Sequence, residues 1–192
     1  MHRRRVLQAL LAATAMAAGL PVRAETPIHF DDTATVGSQT LLLNGAGVRT
    51  KVFFKIYAMG LYLPEKKTAT ADVLAENGPR RVLITMLRDT SIEDFGKAFT
   101  DGLKANTGKD ERTRLLSQTM QFGAVFGQIQ MLKKGDQMQF DWQPGEGTQC
   151  YLNGKKIGEL MPDLAFYNAV LRIWLGDKPA DYALKLALLG AK

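Results

Sequence analysis

The sequence is poor in the side chains from which metal sites and nucleophilic catalytic sites are usually built. Its 192 residues include one cysteine, Cys150, and two histidines, His2 and His29. A structural zinc site needs about four ligands, mostly Cys and His, so these residues cannot form one. A single cysteine forms no intramolecular disulfide, and only His29, near the start of the chain, is left to activate a nucleophile. We therefore expect Cys150 to be a buried thiol, and we expect no metal and no other cofactor.

A true excess of positive charge is also absent. The formal net charge is +6, but Arg3, Arg4, Arg5 and Arg23 supply four of the 25 Lys and Arg, which leaves 21 against 19 acidic residues. The remaining lysine pairs are spread along the chain, without the interleaved aromatic residues that stack on bases. The sequence therefore does not predict a nucleic-acid partner.

Residues 1–24 have the pattern of a cleaved secretory signal. A basic start is followed by an apolar region from Val6 to about Leu20 and by the small-x-small site Val22-Arg23-Ala24. The apolar region is too short for a membrane span. The run Arg3-Arg4-Arg5 also resembles a twin-arginine signal, so that export route stays open. We predict an exported chain in which residues 25–192 form one domain.

The longest apolar run after residue 24 is residues 45–63, GAGVRTKVFFKIYAMGLYL. From Val52 onward this run is β-branched, aromatic or aliphatic, so we predict one long strand. In a single strand Arg49 and Tyr57 share a face, but they stand about 26 Å apart at roughly 3.3 Å per residue. They can share a ligand only if the chain bends between Thr50 and Phe54. Gly60 leaves a gap on the opposite face, where a backbone or a ligand can come close.

The remaining segments alternate between strand and helix patterns. Ser91 begins a helix as an N-cap, and Asn153-Gly154 predicts a two-residue hairpin loop. Further predicted strands are 39–43, closed by Asn44-Gly45, and 80–88, 138–142, 148–152 and 155–160; predicted helices are 70–76, 91–106, 110–127, 164–175 and 182–189. This order indicates an α+β fold, in which helices pack on one face of a large antiparallel sheet.

Two segments resemble the chalcone isomerase superfamily. They are GAGVR with the following FFKIYAMGLYL, and NAVLRIWLGDKPAD with the following ALKLALLG near the C-terminus. The resemblance covers roughly residues 37–190 and is strongest to bacterial chalcone isomerase-like proteins of the cell envelope. It implies the open-faced β-sandwich of that superfamily, with a ligand cleft between sheet and helices, and a periplasmic location.

The resemblance also implies which residues form the site. The arginine of the family falls at Arg49, and Tyr57 takes the place of a threonine. The positions of the other polar groups of the plant enzymes hold Ser91, Ala98 and Ile173, the last beside Trp174. Only the arginine of the isomerase is therefore kept. Arginine together with tyrosine resembles the fatty-acid-binding members of the superfamily, in which the two side chains hold a carboxylate.

We therefore predict a non-catalytic protein that binds a fatty acid or a similar small apolar carboxylate through Arg49, Tyr57 and Trp174. An arginine fork and a phenol O–H suit a carboxylate, and an apolar cleft suits its chain. One alternative is an isomerase, an intramolecular lyase that works through Arg49. The other is a partner-binding envelope protein whose cleft is filled by its own side chains. In that case Arg49 has a structural role, and the two aromatic residues belong to the core.

Overall fold

A computed structural model of the protein describes residues 28–127 and 129–191. The predicted signal at residues 1–24 lies outside the described residues. The elements in chain order are β1 (Thr33–Val36), β2 (Gln39–Lys51), β3 (Phe54–Leu63), α1 (Thr70–Ala75), β4 (Arg80–Met86), β5 (Thr90–Ser91), α2 (Ile92–Ala105), α3 (Lys109–Arg114), α4 (Leu116–Val125), β6 (Met131–Leu132), β7 (Gln137–Gln143), β8 (Gly147–Leu152), β9 (Lys155–Met161), α5 (Leu164–Leu175) and α6 (Tyr182–Leu188).

One large antiparallel sheet organises these elements. Its seven strands follow the order β1-β2-β3-β4-β7-β8-β9, and β5 pairs with β6 in a separate two-stranded sheet. Helices α2 and α5 pack on each other, and their buried aromatic and aliphatic residues form one core with the inward side chains of the sheet. The predicted α+β fold, with helices on one face of a large antiparallel sheet, is confirmed.

The single long strand predicted over residues 45–63 is wrong, because the chain turns back on itself within it. Strands β2 and β3 form a hairpin in which Lys51 pairs with Phe54 and Arg49 pairs directly with Tyr57. Val52 and Phe53 form the loop, and Val52 has a φ of 58°. Short hairpin loops usually carry Gly, Asn or Asp at such positions. The residue types of this loop therefore do not predict a turn. Pairing across the hairpin removes the predicted 26 Å separation.

The predicted turn at Asn44-Gly45 is also wrong, because β2 runs through it. Asn44 is buried, its Nδ2 donates to the carbonyls of Lys67 (2.9 Å) and Leu188 (2.7 Å), and its Oδ1 accepts from the Lys67 N–H (2.6 Å). A register shift at this point marks a bulge. A Cβ on Gly45 would lie 2.1 Å from the carbonyl oxygen of Ala187. Helix α6 therefore packs directly on the backbone of β2.

The gap predicted at Gly60 exists, but a core side chain occupies it. A Cβ at this position would lie 2.8 Å from the ring of Phe30. Residues Tyr57, Met59 and Leu61 point to the opposite face and join the main core under the helices. From Tyr57 to Leu63 both faces of β3 are therefore covered, as the apolar sequence predicts.

Most other elements agree with the sequence patterns. Ser91 caps α2 by accepting from the Asp94 N–H at 3.0 Å, and the predicted helix 164–175 has the observed bounds of α5. The helix predicted over 110–127 is divided at Leu115 into α3 and α4. The short strands β1, β5 and β6 were not predicted. None of the helices in residues 28–127 and 129–191 combines the length and apolar character that a membrane crossing requires.

Candidate functional site

The structure brings Arg49, Tyr57 and Trp174 together close to the loop of the β2–β3 hairpin. Arg49 and Tyr57 are register partners, and the guanidinium carbon of Arg49 lies 5.6 Å from the centre of the Tyr57 ring. Trp174 comes from α5, and its Nε1–H donates to the Tyr57 hydroxyl oxygen at 2.7 Å. Their proximity makes a shared site possible, and their role in ligand binding stays a prediction.

The Tyr57 hydroxyl is buried and has one hydrogen left to donate. Burial raises its pKa, and the positive charge of Arg49 and the hydrogen bonds from Trp174 and from the Arg49 guanidinium partly oppose this rise. The phenol is therefore protonated at neutral pH. Trp174 uses one lone pair of the oxygen, and no residue in the described ranges accepts a hydrogen bond from the phenol itself. Tyr57 can thus donate to a ligand.

The Arg49 side chain likewise keeps unused donors. Its Nε is buried without a hydrogen-bond partner, and no carboxylate of the described residues forms an ion pair with it. Asp181 lies nearby, but its two oxygens accept from the backbone N–H groups of Thr50 (2.9 Å) and Leu184 (3.1 Å). A guanidinium with free donors beside a phenol O–H is chemically suited to bind a carboxylate or another oxyanion.

Two cavities adjoin this pair of side chains. The outer cavity, of about 380 Å³, is bounded by Arg49, Tyr57, Ser91, Phe95 and charged side chains from the loop before α2 and from α2 itself. The inner cavity is also lined by Arg49 and Tyr57, but its volume is only about 20 Å³. A space of this size holds roughly one water molecule.

Apolar side chains close the inner cavity. Its walls are Phe95, Ala98 and Phe99 of α2, Ile173 and Trp174 of α5, and Ala180. The positions that the family resemblance pointed to therefore surround one place in the fold, since Ser91 and Ala98 line the outer cavity and Ile173 lines the inner one. The open apolar cleft that the resemblance implied is reduced to a narrow space between α2 and the sheet.

Sequence reasoning missed three contributors to the site. Asp181 was read only as the start of α6, and its bond to Thr50 across 131 positions has no local signal. Arg88 and Lys97 at the rim of the outer cavity were not singled out, because their segments are adjacent only in the folded chain.

Cys150 lies apart from the site and is buried, as predicted. Burial raises the pKa of its thiol to about 12. Because the thiolate is the reactive form, this cysteine is chemically inert near neutral pH. The part of the chain that the structure describes also contains no group of three or more His, Cys, Asp or Glu side chains arranged to hold a metal ion.

Comparisons with known proteins agree with this architecture. Residues 25–190 match the protein-family model described as chalcone isomerase-like. The fold is similar to the crystal structure of a fatty-acid binding protein from Arabidopsis thaliana, with a TM-score of 0.60 and 14% sequence identity. That match covers 83% of this chain and 90% of the plant chain, and at this identity it shows the fold alone. No sequence among curated proteins matches the chain.

Because Tyr57 is buried, we expect the folded protein to lose stability at high pH. Because the pKa of Tyr57 is raised in the folded protein, the unfolded chain releases the phenol proton at a lower pH than the folded one. The contribution of Tyr57 to stability is therefore complete below about pH 10 and is lost as pH rises through the folded-state pKa. In Tyr57→Phe the free energy of unfolding should fall less steeply above pH 10, by up to about 1.4 kcal/mol per pH unit. Urea unfolding at several pH values measures this slope. The exposed Tyr182→Phe variant is the control, and equal slopes for Tyr57→Phe and wild type would contradict the assignment.

Proposed function

Because the chain belongs to the chalcone isomerase-like family, we propose that it binds a small apolar carboxylate, such as a fatty acid, without catalysing a reaction on it. One observation carries the proposal. The buried Nε of Arg49 has no partner, and it lies beside a Tyr57 hydroxyl that is held by Trp174 and still has a hydrogen to donate. The shared fold with a plant fatty-acid binding protein supports it.

The two donors divide the work of binding. The guanidinium of Arg49 supplies charge and up to two parallel N–H bonds to the carboxylate oxygens. The Tyr57 O–H supplies a further bond, and Trp174 fixes the direction of that O–H by occupying the oxygen from the other side. Because the site is half-buried, each of these charge-assisted bonds is stronger than it would be in bulk water.

Loss of the other polar groups supports binding over catalysis. By resemblance, the isomerases of the superfamily use hydroxyl and amide side chains at positions where this chain has Ala98 and Ile173. Both side chains are apolar, and both line the cavities next to Arg49. The groups that the isomerases use at these two positions are therefore missing beside Arg49, and this favours retention of a ligand over its conversion.

The size of the cavities limits the ligand. An inner space of about 20 Å³ has no room for an alkyl chain, whereas the outer cavity of about 380 Å³ falls in the range of roughly 300–1,000 Å³ that small-molecule sites occupy. A short-chain acid therefore fits in the outer cavity, with its tail against the apolar part of the lining, Ile56, Phe95 and Ala98. A long chain must displace Phe95, which lines both spaces.

The filled inner space also favours a second candidate function. A protein whose cleft is closed by Phe95, Phe99 and Ile173 can act on a macromolecular partner through its surface, with Arg49 as a structural residue. The two functions differ in one measurable property, because only the first requires a carboxylate to bind at Arg49.

Replacing Arg49 with Ala should weaken the binding of octanoate at least about tenfold, since a hydrogen bond to a charged group contributes about 1.5–3 kcal/mol. Isothermal titration with octanoate and native mass spectrometry of protein recovered without detergent measure this effect. Arg114→Ala, an exposed change on α3, is the matched control. Equal octanoate affinity in wild type and Arg49→Ala would refute this site and favour the partner-binding function.

The same variants test the isomerase alternative. We expect no conversion of 2′-hydroxychalcone above the uncatalysed rate by the wild-type protein. Turnover by wild type that disappears in Arg49→Ala would establish an isomerase and replace the binding proposal.

Replacing Phe95 with Ala should shift the chain-length preference from octanoate toward palmitate. The shorter side chain joins the inner cavity to the outer one, and this gives a long alkyl tail a path toward Ile173. The ratio of the two dissociation constants, from titration calorimetry, is the readout. Phe126→Ala removes the aromatic neighbour of Phe95 and lines neither cavity, so it controls for general loosening. An unchanged ratio in Phe95→Ala would place the tail elsewhere.

We also propose that the protein is exported to the periplasm of a bacterium. Its support is the basic, apolar and small-x-small pattern of residues 1–24, together with the match of the family model from residue 25 onward. In a Gram-negative host, intact-mass measurement should find a periplasmic chain that begins at Glu25. Changing Arg3, Arg4 and Arg5 together to Lys keeps the charge, so export should persist by the general route and stop if the signal is of the twin-arginine type. Unprocessed protein in the cytoplasm would contradict export.

A further inference from the structure

The β2–β3 hairpin ends in an apolar tip that the rest of the fold leaves uncovered. The relative exposure of Val52 is 77%, that of Phe53 is 90% and that of Phe54 is 59%. Three consecutive large apolar residues in water are unfavourable for a soluble surface, and such exposure marks a site of interaction. We call residues 52–54 the apolar tip.

The turn geometry does not explain this composition. Val52 has a φ of 58°, a backbone conformation that favours glycine or asparagine and is disfavoured for a β-branched side chain. A two-residue loop of ordinary turn residues would close the same hairpin with less strain. The apolar side chains at this end of the hairpin therefore have another role than forming the turn.

Positive charge surrounds the apolar tip. From Thr33 to Pro64 the sequence has no acidic residue, but it has Arg49, Lys51 and Lys55. The guanidinium of Arg88 lies over the Phe54 ring, with Cζ 4.6 Å from the ring centre. The acidic side chains at this end of the fold have partners of their own: Asp181 accepts from the Thr50 N–H, Asp94 from the Ser91 hydroxyl and Asp89 from the Lys134 N–H, and Asp101 pairs with Lys97.

We propose that the apolar tip docks on a lipid bilayer that contains anionic headgroups. Val52, Phe53 and Phe54 enter the boundary between headgroups and acyl chains, where aromatic and aliphatic side chains gain from burial. The phosphates of the headgroups lie further from the bilayer centre, and there they are contacted by the charged groups of Lys51, Lys55 and Arg88. The aliphatic stems of these side chains stay on the apolar side.

The size of the tip favours a bilayer over a second protein chain. A stable protein interface buries about 800 Å² on each partner, and one buried aromatic side chain contributes about 150–250 Å². Three protruding residues therefore fall short of such an interface. A bilayer imposes no such minimum, because a few inserted side chains and a few cations suffice for reversible adsorption.

Docking in this way turns the outer cavity toward the membrane. Lys51 and Arg88 border both the tip and that cavity, whose wall also includes Arg49. This inference goes beyond the proposed function and does not require it, since adsorption is measurable with no carboxylate present.

Vesicle co-sedimentation tests the proposal on the exported protein without residues 1–24. Wild type should bind vesicles of phosphatidylcholine with phosphatidylglycerol more tightly than vesicles of phosphatidylcholine alone, and added salt should weaken this binding. Phe53→Ser should reduce the partition coefficient about tenfold. Since Phe53 is exposed, this change leaves the fold intact. Met120→Ser, a similarly exposed apolar residue on α4 at 68% exposure, should bind like wild type.

Fluorescence of Phe53→Trp separates insertion from simple charge attraction. Brominated acyl chains should quench the new tryptophan on anionic vesicles, and the emission should shift to shorter wavelength. Equal vesicle binding by wild type and Phe53→Ser, or an unquenched Trp at position 53, would overturn the proposal. Concentration-dependent self-association that Phe53→Ser abolishes, with no binding to vesicles, would assign the tip to a second copy of the chain instead.

Discussion

The register between β2 and β3 is the constraint on which the functional features of this protein depend. It places Arg49 opposite Tyr57, and it places Val52 and Phe53 in the loop that closes the hairpin. The other contacts hold this register from outside the hairpin. Asn44 ties β2 to the end of α6 through a buried side-chain bond, and Asp181 at the start of α6 binds the Thr50 N–H. A shift of one residue would turn Arg49 away from the cavities and expose core side chains.

Keeping unpaired donors in a half-buried site costs stability. A buried polar group without a partner is unfavourable by about 1–3 kcal/mol, and the Arg49 Nε is such a group. A carboxylate between Arg49 and Tyr57 would relieve this cost on binding. The bond from Trp174 Nε1 acts in the same direction, because it fixes the phenol before a ligand arrives and so lowers the entropy lost on binding. If the proposed function holds, the unpaired donor of the free protein therefore contributes to affinity for a carboxylate.

The two hairpin loops show what the sequence could and could not predict. Asn153-Gly154 was predicted correctly, since both residues have the positive φ that Asn and Gly tolerate. Val52-Phe53 has no such residues, and its apolar run reads as a continuing strand. The resemblance pointed to Arg49, Tyr57 and Trp174, and their role in binding stays a prediction. The separation of Arg49 and Tyr57 expected for a straight strand does not apply, because the chain turns between them. The closure of the inner cavity depends on how α2 packs on α5, and a single sequence contains no signal for that spacing.

The two proposals assign to the hairpin two features that recognise the same chemical combination on different scales. A fatty acid joins an anionic oxygen group to a hydrocarbon chain, and an anionic bilayer repeats that combination across a surface. Arg49 beside the apolar walls of the inner cavity matches the single molecule. The cations around the apolar tip, Lys51, Lys55 and Arg88, match the surface. Because apolar carboxylates partition into membranes, a receptor that takes them from a bilayer needs both features close together. The β2–β3 hairpin supplies this proximity, since Phe53 in its loop follows Arg49 by only four positions in the chain.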